Sequence, residues 1–138
     1  MDYTSVGKAL WSKLTGTEAI IRLMPDDRAC FMRVPADPIV YPYIRYWLVT
    51  NDMAGVFSKL DIETSELQVD YFTDRTEVEA VAEGINAIRS ALDLATLTFA
   101  DGDYTSIYLR RLGVGVLQEE RIQHGIVRYE MTLQETTA

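Results

Sequence analysis

Residues 66–93 constrain the fold more than any other stretch, because the period of the apolar residues changes there from that of a strand to that of a helix. Glu66-Leu-Gln-Val-Asp-Tyr-Phe-Thr73 sets Leu67, Val69 and Tyr71 on one side, the alternation of a half-buried strand. Asp74-Arg75 breaks the alternation. Val78, Val81, Ala82, Ile85, Ile88 and Leu92 then recur at helical spacing and make one apolar stripe. Thr76 with Glu79 three residues on forms a capping box, in which each side chain satisfies an orphan backbone N–H. A strand that runs straight into a long amphipathic helix calls for layers. The helix buries its stripe by lying back over the sheet that the strand joins. Gly84 sits inside this helix at a cost of about 1 kcal/mol relative to alanine, which marks a close approach by another backbone.

The rest of the chain supplies the other layers. Thr4-Ser5 caps a first helix carrying Val6, Ala9, Leu10 and Leu14, which Gly16 is placed to end in a left-handed turn. A short helix from Glu18 to Met24 stops at Pro25, and Asp26-Asp27-Arg28 reads as a turn. Cys30 to Val34 reads as a strand, and Pro35, Pro38 and Pro42 stiffen the connection that follows. Tyr43 to Thr50 is the most β-prone run. Asn51 to Gly55 reads as a turn or mobile loop, with Val56 and Phe57 within or just beyond it. Leu97–Ala100 and Tyr104–Leu112 flank Asp101-Gly102-Asp103, a hairpin signature. A strand ending at Leu117, a polar loop over 118–123 and an alternating strand from Ile126 to Glu135 complete the chain. The expectation is one α+β domain over residues 1–138. It holds a mostly antiparallel mixed sheet, an N-terminal helix and one long central helix packed on the sheet.

Charge and chemistry narrow the function. The net charge is -8, and from Asp61 to Glu83 eight acids face a single base, Arg75. Such a field repels phosphate and disfavours nucleic-acid binding. Arg45 among Tyr41, Tyr43, Tyr46 and Trp47 is one base in an acidic chain, so these aromatics read as a central strand rather than a base-stacking platform. No run approaches the length of a membrane span, and Met1-Asp2-Tyr3-Thr4 lacks the pattern of a signal peptide. Cys30, the only cysteine, reads as a small buried hydrophobe in a protein made under reducing conditions. His124, the only histidine, precedes Gly125 and reads as an exposed turn residue. One cysteine and one histidine do not make a zinc site, and Gly113-Val-Gly115 lacks the rest of a dinucleotide fingerprint. No catalytic residue, cofactor or metal is expected.

The order of elements resembles the tail-terminator, or tail-completion, proteins of long-tailed bacteriophages and their prophage-like relatives. The resemblance rests on the helix from Val6 to Leu14, the short helix ending at Met24-Pro25 and the proline-spaced entry Val34-Pro35, Pro38, Tyr41-Pro42-Tyr43-Ile44. It continues through the strand and helix of Leu67–Leu92 to the closing strand entered at His124-Gly125-Ile126-Val127-Arg128-Tyr129. It implies a ring, usually a hexamer, that caps the finished tail tube, stops its polymerisation and meets the head-side connector. The implied partners are other copies of the chain, the tail-tube protein and the connector protein. DNA passes through without specific binding, no membrane is involved, and no cofactor or catalytic residue comes with the family. The implied location is the tail–head junction of a virion, after synthesis in the host cytoplasm. A neighbouring connector or neck protein is the alternative, followed by a small cytoplasmic ligand-binding or enzymatic α+β domain. Met53, Val56, Phe57, Asp101, Asp103 and Tyr104 are the candidate contacts with a neighbouring subunit or the tube. Glu66, Asp70, Asp74, Glu79 and Glu83 are the candidate acidic lumen or partner surface.

Overall fold

The computed structural model describes residues 3–24, 29–31, 38–54, 62–99 and 104–135. Its elements in chain order are α1 (Tyr3–Thr15), α2 (Glu18–Ile21), β1 (Ala29–Phe31), β2 (Tyr43–Ala54), β3 (Ile62–Thr73), α3 (Val78–Leu92), β4 (Tyr104–Glu119) and β5 (Ile122–Glu135). The strands form one sheet in the order β1-β2-β3-β5-β4. β1 pairs with β2 in parallel and every other pair is antiparallel. This is the expected α+β class.

β3 lies at the centre of the sheet, between β2 and β5. Leu67, Val69 and Tyr71 point from it into the core with Ile44 and Tyr46 of β2 and Val127, Tyr129, Met131 and Leu133 of β5. α3 covers that face with Val81, Ile85, Ile88 and Leu92, and α1 adds Val6, Leu10 and Leu14. Two details at the start of α3 differ from the sequence reading. Val78 is 73% exposed, so the buried stripe begins at Ala80 and Val81. The N-cap is Glu77, with no side-chain capping bond, so the capping box does not form. Gly16 likewise stays out of the left-handed region; its amide donates to the Ser12 carbonyl at 3.0 Å and continues the helical pattern.

Gly84 is explained by a side chain rather than by another backbone. The Tyr71 ring lies against it, and a Cβ at position 84 would stand 2.1–2.4 Å from three ring carbons. Gly84→Ala is therefore expected to lower stability by about 2 kcal/mol, since the overpacking outweighs the better helix propensity of alanine. Thermal melting by circular dichroism checks this, and an unchanged or raised Tm contradicts the contact. Burial, with help from the Glu83 carboxylate, pushes the Tyr71 hydroxyl up to about 12. Burial and its bond to Asp93 push Tyr129 upward as well. Both stay neutral in the fold while unfolded tyrosines ionise near pH 10. Stability is thus intact below pH 10 and falls as pH rises from about 10 toward 12, which urea unfolding at pH 9 and pH 11.5 measures.

The strands are longer than their sequence signals. β2 continues through residues 51–54, read above as a turn, because they pair with Ile62–Ser65 of β3 beyond an irregularity between Leu48 and Thr50. The hairpin expected around residues 101–103 is replaced by a different one. Leu97–Phe99 is not a strand; Leu94 donates to the Leu109 carbonyl and Leu109 to that of Ala95, each at 3.0 Å. β4 instead turns back through Glu120-Arg121 into β5, with Glu120 at φ 49° and Glu119 paired with Ile122. The polar run read as a loop is thus the strand-paired end of a long hairpin.

Candidate functional site: the helix-free face of the sheet and its open edges

The three helices among the described residues all pack into the core on one side of the sheet, and the other side carries the rows of side chains that the strand register sets opposite one another. One row holds Tyr43, Phe72 and His124 from β2, β3 and β5. Their rings stack, Tyr43 on Phe72 at 4.6 Å and Phe72 on His124 at 4.1 Å between centroids. Asp70 lies in the next row, fully buried. Gln68 Nε2 donates to its Oδ1 at 2.9 Å and Arg45 Nη2 donates to its Oδ2 at 3.4 Å. His124 Nε2 approaches Oδ1 to 2.9 Å. The Arg45 guanidinium also lies 4.4 Å over the Trp47 ring. A carboxylate withdrawn from water is tolerable only with such compensation. Further along, Arg128 pairs with Glu66 and Arg110 with Glu130 at 3.2 Å, linking β3, β5 and β4.

The edges of the sheet differ. Among the described residues nothing pairs with the free side of β4, whose Tyr108, Leu112, Val114, Val116 and Leu117 are all exposed. A Cβ added at Gly113 or Gly115 would meet nothing within 4 Å. At the opposite edge, α1 and β1 enclose a groove of about 400 Å³ lined by Tyr3, Thr4, Gly7, Lys8, Trp11, Ala29 and Tyr46.

The described acids singled out from sequence do not lie on one face. Asp70 is buried, and Glu66 is committed to Arg128 on the helix-free face. Asp74, Glu79 and Glu83 are exposed, the last two one turn apart on α3. The acidic run therefore splits across both faces of the sheet, because it spans a strand and the helix that folds back over it. Tyr104 is 7% exposed and tilts against Phe99, so it is a core residue rather than a contact. Met53 lies on β2, and its side chain is outside the described residues, as are Val56, Phe57, Asp101 and Asp103. Cys30 lies on β1, with its side chain also outside them.

His124 departs furthest from its reading. It is a buried strand residue between Phe72 and Asp70, with Glu119 Oε1 3.8 Å from Nδ1. Its neighbours are two carboxylates and the Phe72 ring, so it joins the stack across β2, β3 and β5 on the side of the sheet away from α3. Among the described residues no group of histidine, cysteine, aspartate or glutamate is arranged to hold a metal ion, and no helix is long and apolar enough to cross a membrane. Alternation alone would have put Asp70 and His124 on the helix-free face. Their register across two strands, which creates the pairing, has no local signal.

A family model described as "Tail completion protein gp17" matches residues 8–134. The chain belongs to this family. Membership makes it a structural protein of a phage tail, located in the virion. The fold has a solved counterpart in a chain of the "Virion of native gene transfer agent (GTA) particle", with a TM-score of 0.64 and 17% identity. The match covers 96% of this chain and 94% of that one, so the two share the fold from end to end. No curated protein sequence matches the chain.

Proposed function

We propose that copies of this chain form a ring, a hexamer, that caps the completed tail tube, ends its polymerisation and offers a surface to the head-side connector. The observation that carries this reading is the family match, which runs through every strand of the sheet. The structure supports it in two ways. Among the described residues, exposed apolar side chains lie at both edges of the sheet, on β4 and on α1 beside β1, as a head-to-tail ring requires. Asp74, Glu77, Glu79 and Glu83 remain exposed, and their charge repels a DNA chain sliding through a lumen. The segments holding Val56, Phe57, Asp101 and Asp103, with Met53 beside the first, are the proposed contacts with a neighbouring subunit or the tube. The ring acts by shape, with no cofactor and no bond made or broken.

Added to tube protein that is polymerising, the purified chain is expected to halt elongation at a stoichiometry of one ring per tube. Tube lengths by electron microscopy then stop increasing. Tubes that lengthen at the same rate with and without the chain would remove the terminator role.

A further inference from the structure

We propose that the free edge of β4 and the α1–β1 groove are the two halves of one subunit seam, so that β4 of each copy docks on β1 and α1 of the next. The inference rests on the ring reading and names the surfaces that would close it. A cyclic ring needs two different patches on opposite sides of the subunit, since a patch that meets itself gives a twofold dimer. The sheet order among the described residues places β4 at one edge and β1 at the other, with exposed apolar side chains on β4 and on α1 beside β1.

Three further features fit. The first is strand direction. β1 and β2 are parallel, and β3, β5 and β4 alternate after them. If the sheet continues across the seam without inverting, β4 runs antiparallel to the next β1, a pairing that satisfies its open N–H and C=O groups. The second is the layer. Val114 and Val116 pair with Val127 and Gly125, which face α3, so they lie on the helix-bearing side of the sheet. The groove opens on that same side, between α1 and Tyr46, and presents Trp11 and Tyr3, both exposed. The third is charge. From Tyr104 to Leu117 the only charged side chains of β4 are Arg110 and Arg111, and each is already paired, with Glu130 and Asp93. The edge therefore offers exposed apolar side chains with its two charges already met, suited to an apolar groove rather than to the acids of α3 or to DNA.

The test compares the full chain with Val114→Lys/Val116→Lys and with Trp11→Glu, all at exposed positions, by light scattering after size exclusion and by melting. The wild type is expected to run as a ring, and both variants as 15.7 kDa monomers with wild-type melting. An equimolar mixture of the two variants is expected to stop at heterodimers, because it retains one intact edge and one intact groove. Trp11→Glu that still associates while the β4 variant does not would show β4 pairing with itself, which overturns the seam. Wild-type rings from the β4 variant, with tube capping lost, would give that edge to the tube protein and also overturn it. A wild type that is monomeric alone and on tube ends would overturn the ring reading itself, and the seam with it.

Discussion

Ile85→Asp is expected to leave a chain that does not fold. Ile85 is 7% exposed and stands over Gly125 of β5, where a Cβ on the glycine would come within 2.9 Å of its Cγ1. An unpaired carboxylate in such a site costs several kcal/mol, or forces protonation at a similar cost, against a total stability of about 5–15 kcal/mol. The contact between helix and sheet that organises residues 66–93 is the one removed. Far-UV circular dichroism should show loss of the cooperative transition. A melt within a few degrees of wild type would mean that α3 does not pack through Ile85.

Asp70→Ala is expected to destabilise the fold by about 3 kcal/mol, toward the lower end for a broken buried pair because Arg45 keeps some access to water. The substitution leaves Arg45 and Gln68 without their shared acceptor and removes the carboxylate beside His124. Asp70→Asn, which retains one oxygen for Gln68, should lose less. Glu79→Ala and Glu83→Ala, both at exposed positions, should each change stability by no more than about 0.5 kcal/mol. Urea denaturation of the four variants separates a structural acid from surface acids. Equal and small effects in all four variants would contradict the buried role of Asp70.

Those contrasts also show how far the sequence could be read. Leu67, Val69 and Tyr71 alternate in the sequence and alternate in the sheet; Val81, Ile85, Ile88 and Leu92 form the stripe that their spacing promised. Period is a local property, set by the backbone itself. What failed was non-local. Residues 51–54 carry turn formers, yet they extend β2 because β3 offers backbone partners opposite them. Asp101-Gly102-Asp103 has the composition of a hairpin turn, but β4 takes its partner from the C-terminal side, through Glu120-Arg121, which has no such signature. Gly84 was flagged by its cost, while the ring that requires it comes from thirteen residues earlier, across the layer.

The candidate site shows the same division. An exposed acidic surface was expected from eight acids in one run. Charge density along a chain does not say which face each residue takes once a strand is followed by a helix that folds back over it. Asp70 and Glu66 therefore went to one side of the sheet, and Glu79 and Glu83 to the other. His124 looked like a turn residue because a glycine follows it. Gly125 instead leaves room for Ile85 and Val81 above the strand, and His124 beneath meets Asp70. The apolar edge of β4 was divided in sequence by Gly113 and Gly115, and only the completed strand shows it as continuous.

The central claim, a ring on the end of the tail tube, is tested most directly by imaging purified tail tubes in negative stain with and without the protein. With the protein present, one end of each tube should carry an added disc, and end-on class averages should show a closed ring of six subunits. Tubes whose ends look the same in both preparations, with no free rings in the background, would contradict it.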